Sequence, residues 1–359
     1  MDSLLDSFSI DGRAVGPGQP PYLIAELSGN HNGELSRALA LVDAAADAGV
    51  DAVKLQTYRA DTITIRSDRP EFHIQGGIWD GRQLYDLYQE ASTPWEWHEA
   101  LFKRAAEHGL TCFSSPFDPS AVDYLAALEA PAYKIASFEL VDTPLIRYVA
   151  AQNKPLIMSI GVANYADIEA ACSAAQAADG LALLHCVSSY PAPVETMNLR
   201  TIPVLAETFG VPIGLSDHSP GTAVAVAAVA LGAAIIEKHL TLSRADGGPD
   251  ADFSLEPAEF KRLVKDCHTA YKALGTAIRQ REAVGKSSEE SAGSSAAQFR
   301  RSLYIVEDIA AGERLTERHV RSIRPGLGLA PKHLPQVLGM RAARALKSGE
   351  ALAWDMLLA

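Results

Sequence analysis

The stretch that decides the fold is 211–240, VPIGLSDHSPGTAVAVAAVALGAAIIEKHL. A short apolar run ends in Ser216, Asp217 and His218. A small-residue helical segment follows, from about Gly221 to Gly232, and a second apolar run, AAII, stops at Glu237, Lys238 and His239. Two strands joined by one helix therefore each end in a histidine. Adjacent strands in a sheet lie about 5 Å apart. In a parallel β/α fold that spacing sets the two imidazoles side by side at the carboxyl edge of the sheet, where such folds bind ligands. Two neighbouring imidazoles with acids beside them suit a shared divalent metal. Two protein ligands leave the other positions to water and substrate, which describes a catalytic metal better than a structural one.

The same rhythm of apolar run, polar stop and helical segment extends back through the chain. YLIAELS carries Glu26 and Ser28, and a helix from about Leu35 to Ala48 stops at Gly49. DAVKLQT carries Lys54 and Gln56, TCFSSP carries Ser114 and Ser115, and AYKIAS carries Lys134 and Ser137 before Glu139. PLIMSIG carries Ser159, and LALLHCVSSYP carries Ser188, Ser189 and Tyr190. With the two histidine strands this makes eight units before residue 276, the pattern of a (β/α)8 TIM barrel. Near-continuous apolar strands fit a sheet covered on both faces. An open doubly wound sheet is the alternative. The count of eight and the lack of a GxGxxG turn favour the barrel.

Outside this rhythm lie three segments. Residues 1–20 read as a lead-in with a short hairpin. An insertion at 58–92, containing FHIQGGIWDGRQLYDLYQEAS, follows the second strand, where extra chain in a barrel builds or covers the site. Residues 283–297, AVGKSSEESAGSSAA, read as a linker. The division expected is thus a barrel over 1–282, a linker over 283–297 and a small β-rich domain over 298–359, the last near the lower size limit for folding alone.

Composition narrows the function. The chain has 359 residues with 48% hydrophobic content, enough for one large domain and a small one. A formal net charge of −12 argues against nucleic acid or an anionic membrane as partner. The first residues, MDSLLDSFSI, lack the basic start and apolar core of a signal peptide, and no transmembrane span is evident. Cys112, Cys172, Cys186 and Cys267 form no CxxC pair and read as free thiols in a reducing cytoplasm.

The strand ends carry the chemistry. Lys54 and Lys134 lie in apolar strands, where an unpaired charge is costly. With the hydroxyls of Ser115, Ser137, Ser159 and Ser216 they suit a phosphate or carboxylate. Glu26, Glu139, Asp217, Glu237 and Asp250 are acids near the mouth, able to orient the histidines or act as a base. His31 either faces the same site or serves the GNHNG turn. His73, His98 and His108 read as surface or helix residues. A metal, an anion pocket and sugar-compatible polar groups describe aldol-type or phosphoenolpyruvate chemistry on a polyhydroxylated substrate, and do not choose between the two.

The segments IAELSGNHNG, VKLQTY, FSSPFD, YKIASFE, SSYPAP, GLSDHS and IIEKHL resemble the sialic acid synthase family, and the C-terminal domain resembles its antifreeze-like (SAF) domain. The resemblance runs through nearly the whole chain, in order. ELSGNHN, GIWDG, TPWEWH and YKIASFE look most like the pseudaminic acid synthases. Leu27 and Ser28 depart from the usual EIGxNHNG, Ser188 stands where an Asn is common, and Ile160 stands in place of a Thr. The family condenses phosphoenolpyruvate with an N-acylated amino sugar and releases phosphate. The resemblance implies that His218 and His239 bind the metal (Mn²⁺, Co²⁺ or Mg²⁺) and that Glu26 is the acid beside the metal's water. It places phosphoenolpyruvate on Lys54, Ser115, Lys134, Ser137, Ser159 and Ser216, and the sugar on Gln56, Glu139, Tyr190 and Asp250. Arg324, in IRPGLG, resembles the arginine inserted into the other subunit's barrel, which implies a domain-swapped homodimer. N-acetylneuraminate and legionaminate synthases, with N-acetylmannosamine-type sugars, are the neighbouring expectations, a pyruvate aldolase a more distant one, and a non-catalytic carbohydrate-binding scaffold the expectation from another class.

Overall fold

The structure, a computed structural model, describes residues 7–275 and 298–358. The chain divides into two compact units, 1–275 and 276–359. The 283–297 linker lies outside the described residues.

In the first unit an antiparallel hairpin, β1 (Phe8–Ile10) and β2 (Arg13–Val15), precedes the barrel. Eight parallel strands then close on themselves: β3 (Tyr22–Glu26), β4 (Ala52–Thr57), β5 (Thr111–Pro116), β6 (Tyr133–Ile135), β7 (Leu156–Ser159), β8 (Leu181–Cys186), β9 (Ile213–Asp217) and β10 (Ile235–His239). Each pairs with the next, and β10 returns to β3. The helix between β9 and β10 is Ala223–Ala230, inside the span its small residues indicate. The helix after β3, α1 (Leu35–Ala48), ends at Gly49 with φ +83°, the left-handed cap that glycine enters without a Cβ clash.

Strand alternation sorts the side chains. Outward residues such as Leu23, Val53 and Leu183 pack beneath the helices. Inward residues, among them Tyr22, Ile24, Phe113, Ile157 and Leu184, fill the amino end of the barrel. Ile10 and Val15 of the hairpin join that inner cluster and close it from below. Gly214 belongs to this end, where a Cβ would lie 2.5 Å from both the Ile235 carbonyl oxygen and Leu184 Cδ2. The apolar core thus occupies the lower barrel, and the inward polar positions collect at the carboxyl end.

In the second unit β11 (Ser302–Ile305) pairs antiparallel with β12 (Val320–Ile323), and β13 (Arg341–Ala342) with β14 (Leu357–Leu358). Leu303, Ile305, Val320, Val337 and Leu352 form its core, so this unit is β-rich and has an apolar centre of its own. No described helix is long and apolar enough to cross a membrane.

Candidate active site

Register brings the polar residues to one level. His239 lies opposite Glu26, and Glu26 opposite Lys54. On the other side of β10, Glu237 lies opposite Ser216. These residues open onto a cavity of about 610 Å³ at the carboxyl end of the barrel. Lys134, Ser137 and Ser159 enter it from β6, β7 and the turn between them, and His218 from the first residue after β9.

The two lysines are fully buried and unequally neutralised. Lys54 Nζ sits 2.6 Å from Glu26 Oε2, 3.6 Å from Glu237 Oε1 and 3.2 Å from Ser115 Oγ, to which it donates. Burial works against its charge, but Glu237 and Glu26 outweigh burial and hold its pKa above the ordinary value. Lys134 Nζ donates to Ser159 Oγ at 2.6 Å, and its nearest carboxylate oxygen, Glu237 Oε1, is 3.7 Å away. Burial there prevails, and the Lys134 pKa is lowered. Ser216 donates to the same Glu237 oxygen at 3.2 Å. Glu26 accepts from Gln56 Nε2 at 3.0 Å and from the Ser28 amide at 3.1 Å. Its pKa is raised by burial, against the opposing pull of Lys54. A buried carboxyl with a raised pKa is the kind of group that moves protons.

The imidazoles of His218 and His239 lie with ring centroids 5.4 Å apart. His218 Nδ1 is 3.2 Å from the Val187 carbonyl oxygen, so that nitrogen carries the proton and Nε2 the lone pair. His239 Nδ1 is 3.2 Å from Ser28 Oγ, which engages the corresponding nitrogen of the second ring. Burial lowers the His218 pKa to about 4 and drives that of His239 well below its ordinary value. Both rings are therefore neutral near pH 7, the form a divalent metal takes. Glu237 Oε2, buried beside them, has no hydrogen-bond partner. Among the described residues no group of three or more His, Cys, Asp or Glu is set to hold an ion. The donor set fits a divalent cation held by two histidines, with water and substrate oxygens completing its shell.

Gln56, Glu139, Tyr190 and Asp250 line the same cavity. Burial raises the Glu139 pKa to about 7 and raises that of Asp250 as well. The 58–92 segment, with short helices Ala60–Ile63 and Leu84–Ala91, forms one wall of the cavity.

Some residues lie elsewhere than the sequence reading places them. Ser115 does not line the cavity and reaches it only through Lys54. Asp217 faces out of the barrel, where it is paired with Lys238 at 2.8 Å. His31 is buried edge-on against Trp97, and its Nδ1 accepts from the Gly33 amide, so it belongs to the turn. His98 is a helix residue but fully buried, bonded to Thr57 Oγ1 at 2.7 Å. Arg324 is exposed in the second unit. Glu237 is the partner common to both lysines, a role the sequence reading did not give it. Its position two residues before His239 on one strand was the available signal. Trp79 and Phe253 also line the cavity and were not singled out.

The family model described as NeuB family matches residues 41–279, and that of the SAF domain matches 300–358. The pseudaminic acid synthase of Campylobacter jejuni is 43% identical over 333 residues, covering 92% of this chain and 95% of that protein. The pseudaminic acid synthase of Helicobacter pylori is 41% identical over 339 residues, covering 94% of this chain and 98% of that protein. The crystal structure of an N-acetylneuraminic acid (sialic acid) synthetase from Leptospira borgpetersenii, in complex with citrate, aligns with a TM-score of 0.70 at 31% identity, over 80% of this chain and 94% of that one. With a barrel of this topology, this arrangement at its mouth and matches across most of its length, the chain belongs to the NeuB family and carries a SAF domain.

Proposed function

We propose that the chain is a pseudaminic acid synthase. It condenses phosphoenolpyruvate with 2,4-diacetamido-2,4,6-trideoxy-L-altrose and releases inorganic phosphate. One observation carries this reading: two buried lysines and two neutral imidazoles open onto a single cavity. A module that only binds carbohydrate has no use for buried cations that cost free energy to desolvate.

Lys134 and Lys54, with Ser137, Ser159 and Ser216, bind the phosphate and carboxylate of phosphoenolpyruvate. Ser115 acts from behind, through Lys54. Gln56, Glu139, Tyr190 and Asp250 orient the sugar. A divalent cation on His218 and His239 supplies Lewis acidity at the sugar aldehyde. The C2=C3 π electrons of phosphoenolpyruvate form the new bond from C3 to that aldehyde carbon, and the carbonyl π pair moves onto the aldehyde oxygen. Water adds at the cationic C2, one of its protons passes to Glu26, and Glu26 returns that proton to the new alkoxide. The bond from C2 to the phosphate oxygen then breaks, phosphate leaves with that electron pair and takes the remaining hydroxyl proton, and the ketone forms. The raised pKa of Glu26 supports its role as the base.

The same reading takes Mn²⁺, Co²⁺ or Mg²⁺ as the ion, places the enzyme in the cytoplasm, and has Arg324 of one subunit act at the barrel of the other in a domain-swapped homodimer. The test is phosphate release from phosphoenolpyruvate with Mn²⁺, across the altrose, N-acetylmannosamine and the 6-deoxy-diacetamido mannose precursor of legionaminic acid. Release with the altrose alone is the expected result. Release with only another sugar moves the substrate within the family, and none with any of them sinks the reading.

A further inference from the structure

The cavity has two chemically distinct sides. Its charged groups come from the barrel strands and the loops that follow β6 and β10. The 58–92 segment holds ten charged residues, and none of them lines the cavity. They pair on the surface instead, as Arg66 does with Asp86 and Arg82 with Glu90. Apart from Gln75 and the tyrosines Tyr58 and Tyr88, the side chains the segment turns toward the cavity are apolar, chiefly Ile63, Ile74, Trp79, Leu84 and Leu87. Such complete sorting is more than a loop needs in order to lie flat, because exposed side chains on its outer face would suffice.

Trp79 is placed at the centre of this side. Its indole N–H donates to the Pro249 carbonyl at 2.9 Å, which fixes the ring beside Asp250. Its ring centroid lies 5.5 Å from that of Tyr190, and Tyr190 lies 4.5 Å from His218. Phe253 continues the apolar surface, 5.2 Å from Tyr190 and 4.9 Å from His239. An aromatic face thus runs from the outer wall to the two histidines. A polyhydroxylated sugar would leave hydroxyls unpaired against it, at a cost in binding. A sugar with methyl groups at those positions would not.

We propose that Trp79, with the apolar side of the 58–92 segment, is the determinant that selects a 6-deoxy, diacylated sugar over a hydroxylated one. The wall receives the C6 methyl and an acetamido methyl where N-acetylmannosamine presents hydroxyls. This rests on the reaction proposed above. A single methyl group in an apolar pocket discriminates by roughly ten-fold or more.

The test compares the full-length wild type with Trp79→Ala and Trp79→Phe, using the altrose and N-acetylmannosamine as sugars. Wild-type preference between the two sugars tests the reaction itself; the change in that preference tests the wall. In Trp79→Ala the KM for the altrose should rise at least ten-fold. The ratio of kcat/KM between the sugars should fall by a similar factor, with the KM for phosphoenolpyruvate within two-fold. Trp79→Phe keeps an apolar ring but loses the bond to Pro249, and should retain most of the preference. Equal losses for both sugars in Trp79→Ala, or a parallel loss for phosphoenolpyruvate, would mean that Trp79 merely fastens the loop, and would overturn the proposal. Should Trp79→Ala fail to fold, a full loss of preference in a folded Trp79→Phe would overturn it as well.

Discussion

Replacing Asp217 by alanine should unfold the barrel several degrees earlier. Lys238 Nζ and Asp217 Oδ2 are 2.8 Å apart and both side chains are fully buried. The same ammonium donates to the Ser219 carbonyl at 2.6 Å, while Asp217 Oδ1 accepts from the Ser219 amide at 2.9 Å and its hydroxyl at 2.6 Å. Removing the carboxylate leaves a buried cation with carbonyl dipoles only, a change that costs about 3–5 kcal/mol. With an unfolding entropy of about 2.1 cal/mol/K per residue, a unit of this size loses roughly 5–9 °C in Tm. Burial already lowers the Lys238 pKa, and loss of Asp217 would lower it further. The variant's folded form then sheds the lysine proton at a lower pH than its unfolded form, so its deficit should shrink as pH rises toward the ordinary lysine value. Calorimetry on wild type, Asp217→Ala and the double variant Asp217→Leu/Lys238→Met measures this. The double variant should recover much of the loss, because well-packed apolar residues replace a buried pair at little cost. A Tm for Asp217→Ala within a degree of wild type, or a double variant as unstable as the single, would refute the reasoning.

His98 is held near pKa 4 by burial, below the unfolded value. Stability should therefore fall as pH drops from about 6.5 toward 4, by about 1.4 kcal/mol per pH unit for this proton; in urea unfolding, His98→Gln should lower that slope by one proton, and an unchanged slope would count against it. Glu139, raised to about 7, should give an inflection near that pH in kcat/KM for the sugar, and Glu139→Gln should lack it. Lys134→Met should raise the KM for phosphoenolpyruvate by roughly ten- to a hundred-fold, as expected for lost charge-assisted hydrogen bonds, whereas Lys54→Met should act more on kcat by freeing Glu26; equal profiles would merge the two roles. Arg324→Ala should weaken sugar use more than phosphoenolpyruvate use, and an equal loss in both KM values would argue against action at a partner's barrel.

The barrel was legible because its signal is local and repeated. Each strand is an apolar run with a polar end, and each run is buried along most or all of its length in a closed sheet, so period and length suffice. The histidine pair was legible for the same reason, since one helix separates two neighbouring strands. Partnership across the barrel was not. Glu237 serves Lys54 and Lys134, from strands 183 and 103 positions earlier in the chain, and no short-range pattern reports that. Asp217 reads as a mouth residue because it adjoins His218, and Lys238 reads only as part of the polar stop before His239. Alternation puts them on the outer face, where they need each other. Trp79 was hidden differently: in a segment with ten charges, only its fold shows which side chains turn inward.

The proposed reaction asks one site to hold both a base and an anion, and the charge arrangement suits that demand. Two ammoniums face two carboxylates, but the pairing is uneven. Lys54 contacts both acids and stays charged, so its main service is to Glu26, 2.6 Å away. Lys134 has a hydroxyl at 2.6 Å and a carboxylate oxygen only at 3.7 Å, which leaves its charge under-compensated. A phosphate bound as proposed would meet that deficit directly, since an ammonium short of a counter-ion gains more from an anion than one already paired. Had both lysines been equally neutralised, the substrate would have to displace Glu26 from Lys54, and the base would be disturbed as the anion bound. In the proposed reaction, concentrating the deficit on Lys134 gives it the larger share of the anion, while Lys54 meets the anion without releasing Glu26.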